Sequence, residues 1–105
     1  MLQVTQETRS GWCVVKVAGR ATGENADQLE SELRAAAERH DKVAVDLSAL
    51  DYISSAGLRA VLQAARTAQG RNAEFTVCAL SGPVKRVFDM SGVHHILRIE
   101  GALPC

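Results

Sequence analysis

With 105 residues, the chain is long enough for one compact domain with its own core and too short for two ordinary ones. Its 47% hydrophobic and 23% charged residues are the composition of a soluble globular protein, which excludes a disordered or fibrous chain. Twelve Lys plus Arg against twelve Asp plus Glu leave a formal net charge of zero, so no global field draws the chain to nucleic acid.

No apolar run follows a basic start in Met1 to Ser10, and no later stretch approaches the length that spans a bilayer. The expectation is a cytoplasmic protein without direct membrane insertion. Cys13, Cys78 and Cys105 lie far apart, are odd in number and lack C-x-x-C spacing, which argues against a disulfide framework and against zinc. Cys13 and Cys78 sit in apolar runs and are expected in the core, whereas Cys105 ends the chain and is expected to be exposed. No metal and no cofactor is expected.

In chain order, Met1 to Arg9 and Trp12 to Val17 are extended runs separated by Ser10-Gly11, a dipeptide suited to a tight hairpin turn. Alternation puts Cys13, Val15 and Val17 on one face. Gly19 to Gly23 reads as a loop. Asn25 then stands as a helix cap, with Gln28 three residues on in a capping-box position. Ala26, Leu29, Leu33, Ala36 and Ala37 recur at helical spacing, and this helix is expected to end near His40. Val43 to Leu47 is a nearly all-apolar run, the pattern of a strand covered on both faces, with Asp46 as its single charge.

A short loop leads to Ser54-Ser55 and a second helix. Leu58, Val61, Leu62 and Ala65 form its apolar stripe, Arg59, Gln63 and Arg66 its polar one, and Gly70 its expected stop. Phe75 to Leu80 is another strand, Ser81-Gly82-Pro83 a helix start, Val84, Val87 and Phe88 a third helical stripe closed by Gly92, and Ile96 to Ile99 a short last strand. Helices alternating with strands after a hairpin predict an α/β domain: a mixed sheet of about four to five strands with helices packed on one face.

The stretch from Asp46 to Arg59 carries the most information about function. It runs from a buried strand through a loop into a helix start, and binding sites in open α/β sheets form at the carboxyl ends of strands. Ser54 and Ser55 lie at or beside the helix N-cap, where a hydroxyl accepts a bond from an unpaired backbone N–H. A phosphoryl group is also tolerated there, because helix N-termini favour anions. It adds about 1.5 to 2 negative charges to whatever surface docks at that point. Asp46 has two open roles, bonding to loop N–H groups or taking part in docking.

Val45-Asp46-Leu47-Ser48, followed by Tyr52-Ile53-Ser54-Ser55-Ala56-Gly57-Leu58, resembles the STAS domain family, and specifically its small stand-alone anti-sigma factor antagonists. Gly19, the Asn25-Ala26 helix start and Pro83-Val84 through Phe88 to Ser91-Gly92-Val93 are supporting matches, and the likeness covers nearly the whole length. The resemblance implies a STAS fold and no catalytic activity. It implies phosphorylation at Ser55 by a serine kinase of the histidine-kinase-like ATPase fold that is also the anti-sigma factor. In that scheme the unphosphorylated antagonist sequesters the kinase, phosphorylation releases it, and a PP2C-type phosphatase resets the cycle. Carried over to this chain, Asp46 and Ser54 shape the docking site around Ser55, Ala56 and Gly57; Arg59 is added from its position alone, one turn into the helix that starts at Ser55, as a residue expected to meet the partner. The free protein is expected to be a monomer. Two departures from the pattern stand out: Ser54 occupies a position that is aspartate in many antagonists, and Ala21-Thr22 replaces an acidic residue in the first loop.

The competing readings are weaker. Ser54-Ser55-Ala56-Gly57 is not a G-x-S-x-G elbow, so pairing Ser55 with His94 or His95 as a hydrolase has little support. His94-His95 lacks ligand spacing and reads as a solvated turn. No G-x-x-x-x-G-K-[ST] loop is present. Trp12 and Phe88 read as packing residues. The alternative from another class is a STAS subunit of an ABC transporter of the phospholipid-trafficking type, a binding module that needs no phosphorylation.

Overall fold

The computed structural model describes residues 1–93 and 97–101. Its elements are β1 (Leu2–Arg9), β2 (Trp12–Ala21), α1 (Ala26–Arg39), β3 (Lys42–Asp46), β4 (Leu50–Ile53), α2 (Ser55–Gly70), β5 (Glu74–Cys78), α3 (Gly82–Ser91) and β6 (Arg98–Glu100). The strands form one mixed sheet in the order β1-β2-β3-β5-β6, with β4 paired to β2. Only β1 and β2 are antiparallel; every other pairing is parallel. The expected α/β architecture, opened by a hairpin, is therefore present, with six strands rather than four or five.

The hairpin closes through two residues, Ser10 at φ 52° and Gly11 at φ 84°, between the pair Arg9 and Trp12. Positive φ at both positions matches the right-handed twist of the flanking strands. Along β2 the side chains alternate. Cys13, Val15 and Val17 join Val43 and Val45 of β3, Phe75 and Val77 of β5, and the buried stripes of all three helices in one core. Trp12, Val14, Ala44 and Cys78 form a smaller buried cluster from the opposite alternation. Cys13 and Cys78 are thus both buried, as expected, and burial pushes the Cys13 thiol up in pKa. Cys105, His94 and His95 lie outside the described residues, as does Ile96 of the expected last strand.

β2 does not end at Val17. It continues to Ala21 through a register shift between Gly19 and Arg20, so the expected Gly19 to Gly23 loop is half strand. Gly19 has φ 99°, and a Cβ on it would collide with the backbone carbonyl of Met1. Both conditions call for glycine. The bulge lets one edge of β2 serve two partners: Cys13 to Lys16 pair with β3, and Gly19 to Ala21 pair with β4.

Asn25 does not cap α1. At φ −115° and ψ 9° it lies outside the extended region that aims a side chain at the helix N–H groups. Its amide instead ties the preceding loop: Oδ1 accepts from the Thr22 N–H at 2.8 Å, and Nδ2 donates to the Arg20 carbonyl at 2.9 Å. Gln28 donates to Glu32, so no reciprocal capping box forms. Alanines on both helices (Ala36 and Ala37 on α1; Ala60, Ala64, Ala65 and Ala68 on α2) are buried in the shared core, where short side chains permit close packing. The end of α2 secures the end of α1, because the Arg71 guanidinium donates to the Ala37 carbonyl at 2.6 Å. Gly70 is the last helical residue rather than the stop, and Asn72 at φ 59° takes the left-handed position beyond it. Gly92 does close α3, at φ 68°.

Candidate functional site

β3 ends at Asp46, the chain returns to the sheet as β4, and α2 begins two residues after Ile53. β4 positions the site: through β2 it carries the start of α2 to the sheet edge, where the Ser54 N–H donates to the Ala21 carbonyl at 2.8 Å. Ser81 ties α3 to the same strand, its hydroxyl donating to the Leu50 carbonyl at 2.6 Å.

The two serines do different work. Ser54 is the N-cap, extended at φ −85° and ψ 172°, and its Oγ accepts from the Gly57 N–H at 3.1 Å. Its carbonyl accepts the Leu58 N–H at 2.9 Å. Ser55 is the first helical residue; it is exposed, and its hydroxyl makes no hydrogen bond among the described residues. The capping role therefore belongs to Ser54, which leaves the Ser55 hydroxyl open to another molecule. Ser54→Ala is expected to lower stability by about 1 kcal/mol and Ser55→Ala to change it by less than about 0.5 kcal/mol. Urea denaturation of both variants checks this, and equal losses would contradict the division of roles.

Gly57 stands where α2 meets β2 and β4. A Cβ there would lie 3.0 Å from both Ala21 Cβ and Ile53 Cγ1, well inside ordinary carbon contact. The Ser-Ala-Gly-Leu sequence thus has a packing reason for its glycine. Ala56 is half-buried and Leu58 is buried.

Ser55 opens onto a groove of about 330 Å³ between α2 and α3. α2 contributes Ser55, Leu58, Arg59, Leu62, Gln63 and Arg66, and α3 contributes Val87 and Ser91. The polar stripe expected on α2 is present, and it forms one side of this groove. Asp46 is elsewhere. Its Oδ1 accepts the Ser48 N–H at 2.9 Å, and it lines a separate hollow with Lys16 and Ser48. The structure thus groups Ser54, Ser55, Ala56, Gly57 and Arg59 and leaves Asp46 outside the group.

Tyr52 and Arg20 also belong to this neighbourhood and were not singled out from the sequence. Tyr52 is 40% exposed, and the Arg20 guanidinium lies 4.5 Å from its ring centroid. The signal was an aromatic within the motif at a position that the β4 pairing leaves open to solvent. Among the described residues no group of three or more His, Cys, Asp or Glu side chains is placed to hold a metal, and no helix is long and apolar enough to cross a membrane. Trp12 and Phe88 are both buried packing residues, as read from the sequence.

The family model described as "Mlab, STAS domain" matches residues 4–99. The chain belongs to the STAS domain family. Among relatives of this STAS domain is a Bordetella bronchiseptica protein named putative anti-sigma factor antagonist BtrV, 38% identical over 96% of this chain and 88% of its own. The anti-sigma F factor antagonist of Paenibacillus polymyxa is 27% identical over 93% of this chain and 86% of its own. Among solved structures, an anti-sigma factor antagonist from Mycobacterium paratuberculosis superposes with a TM-score of 0.87 at 25% identity, covering 98% of this STAS domain and 88% of that chain.

Proposed function

We propose that this STAS domain is an anti-sigma factor antagonist that acts by binding, without catalysis of its own, and that Ser55 is its switch. The observation carrying this reading is the split between the two serines: Ser54 is committed to the cap and Ser55 is exposed at the mouth of the groove. The names of relatives over nearly the full length support the antagonist role. The partner is a cytoplasmic serine kinase of the histidine-kinase-like ATPase fold that doubles as the anti-sigma factor, and a PP2C-type phosphatase reverses the modification. In the forward step Ser55 Oγ bonds to the γ-phosphoryl group of ATP, the bond to the ADP oxygen breaks, and the hydroxyl proton is lost.

Docking buries the start of α2. A phosphate there must shed water against the partner, and desolvating an ion costs several kcal/mol, enough to shift affinity by orders of magnitude. The fold tolerates the modification, since Ser55 supports no internal hydrogen bond and a helix N-terminus accommodates an anion. Docking thus changes while structure does not.

The test uses Ser55→Ala and Ser55→Asp baits in a pull-down from the native lysate, with identification by mass spectrometry. The alanine bait is expected to retain a small serine kinase, and the aspartate bait to lose it by about 100-fold, the equivalent of ~2.7 kcal/mol. Recovery of transporter ATPase and permease subunits by both baits alike would overturn the antagonist reading and leave Ser55 without a switching role.

A further inference from the structure

Ser55 and Arg59 are four residues apart on α2, both are exposed, and both line the groove between α2 and α3. Residues at this spacing are neighbours on a helix surface, with Cβ atoms about 5–6 Å apart. Helical side chains lean toward the N-terminus, so the Arg59 side chain lies over the turn that Ser55 opens. Arg59 forms no ion pair or hydrogen bond among the described residues, unlike Arg34 and Lys85, which pair with carboxylates one turn away. Among the described residues the groove is lined by no carboxylate: its charged lining is Arg59 and Arg66 from α2, and α3 contributes Val87 and Ser91. A guanidinium with no partner among the described residues thus stands one helical turn from a hydroxyl with none among them.

We infer that a phosphoryl group on Ser55 is held within the same chain by the guanidinium of Arg59, so that phosphorylation adds charge and also withdraws Arg59 from the surface offered to a partner. This rests on the reading of Ser55 as the modified residue. The planar guanidinium presents two parallel N–H donors to two phosphate oxygens, a geometry that lysine cannot reproduce. Arg66 cannot substitute. It is eleven residues beyond Ser55, about 16 Å along the helix at ~1.5 Å per residue. That separation exceeds the Debye length of about 8 Å at physiological ionic strength. Before modification Arg59 is free to meet an acidic group on the partner; afterwards the phosphate occupies it.

The experiment uses the full chain with phosphoserine installed at position 55 during translation, so it needs no kinase. The second ionisation of the phosphate is followed by ³¹P NMR in the parent, Arg59→Gln and Arg66→Gln proteins, the two variants removing one charge each. The parent is expected to ionise below the value of about 6 typical of free phosphoserine. Arg59→Gln should raise the midpoint by about one pH unit, a tenfold change in proton affinity, because an opposite charge is lost at contact distance. Arg66→Gln should leave it in place. In the parent, the Arg59 Nε–H resonance should move with the same midpoint, a response that a helix terminus alone does not produce. Identical titrations in both variants with an unmoved Arg59 resonance would overturn the clamp. That result would leave the Ser55 switch intact, since the switch stands or falls on partner release by the phosphorylated protein.

Discussion

Phe88→Ala is expected to destabilise the protein by about 3–5 kcal/mol, a large share of the ~5–15 kcal/mol that holds a domain of this size together. Phe88 is fully buried and is the largest side chain in the core with no exposed surface. With Val84 it forms the buried face of the ten-residue α3, so truncation leaves a cavity where that helix meets the sheet. At about 4–8 °C per kcal/mol for a domain near this length, the melting temperature should fall by roughly 12–40 °C. The loss reaches the site, because α3 supplies Val87 and Ser91 to the groove beside Ser55. Met90 on the same helix is the internal control. It is 83% exposed, and Met90→Ala should stay within about 0.5 kcal/mol of the parent. Thermal denaturation of the two variants decides the matter; equal melting temperatures would mean that α3 is not anchored through Phe88.

Gly57→Val is expected to cost about 3 kcal/mol, at the upper end of the ~1–3 kcal/mol typical of overpacking, and to abolish partner capture by the Ser55→Ala bait. Already at Cβ the new side chain would sit 3.0 Å from Ala21 Cβ and Ile53 Cγ1, and the two methyl groups of valine extend the conflict. Neither neighbour has a flexible end to swing away, so the first turn of α2 must lift off β2 and β4. That displacement also draws the Gly57 N–H away from Ser54 Oγ and breaks the cap. Gly57→Ala is the graded companion. Its smaller clash is opposed by the ~1 kcal/mol by which alanine exceeds glycine in helix propensity, so its net loss should be smaller than that of valine. Circular dichroism and the pull-down, run on both, separate a local shift from unfolding. Parent-like melting together with retained capture in Gly57→Val would refute the close approach.

The elements with strong local signatures were legible in the sequence. The buried faces of α1 and α2 follow the apolar spacing of Leu29, Leu33 and Ala36, and of Leu58, Val61 and Ala65. The Ser10-Gly11 turn and the Gly92 helix stop are glycine-dependent backbone positions that local chemistry specifies. β4 has the sequence signature of a loop, because Leu50-Asp51-Tyr52-Ile53 buries its two ends and exposes its middle, which matches no period-two pattern. Its hydrogen-bond partner is the far end of β2, beyond the Gly19 bulge, a pairing no local window contains. Asn25 was misplaced for a similar reason: the residue type suits a cap, but the backbone angle set by the β2–α1 loop turns its amide onto Arg20 and Thr22.

The sequence by itself determined the fold class, the family resemblance and the segment that holds the candidate site, since periodicity, turn residues and a contiguous motif are all written along the chain. Only the tertiary structure decided which of two adjacent serines caps α2 and which faces outward, because that depends on the angle at which β4 delivers the chain to the helix. It also placed Asp46 in a hollow separate from Ser55 and set residues of α3 opposite α2 to line the groove. Each of these outcomes is set by contacts between elements distant in sequence, whose geometry no single segment encodes.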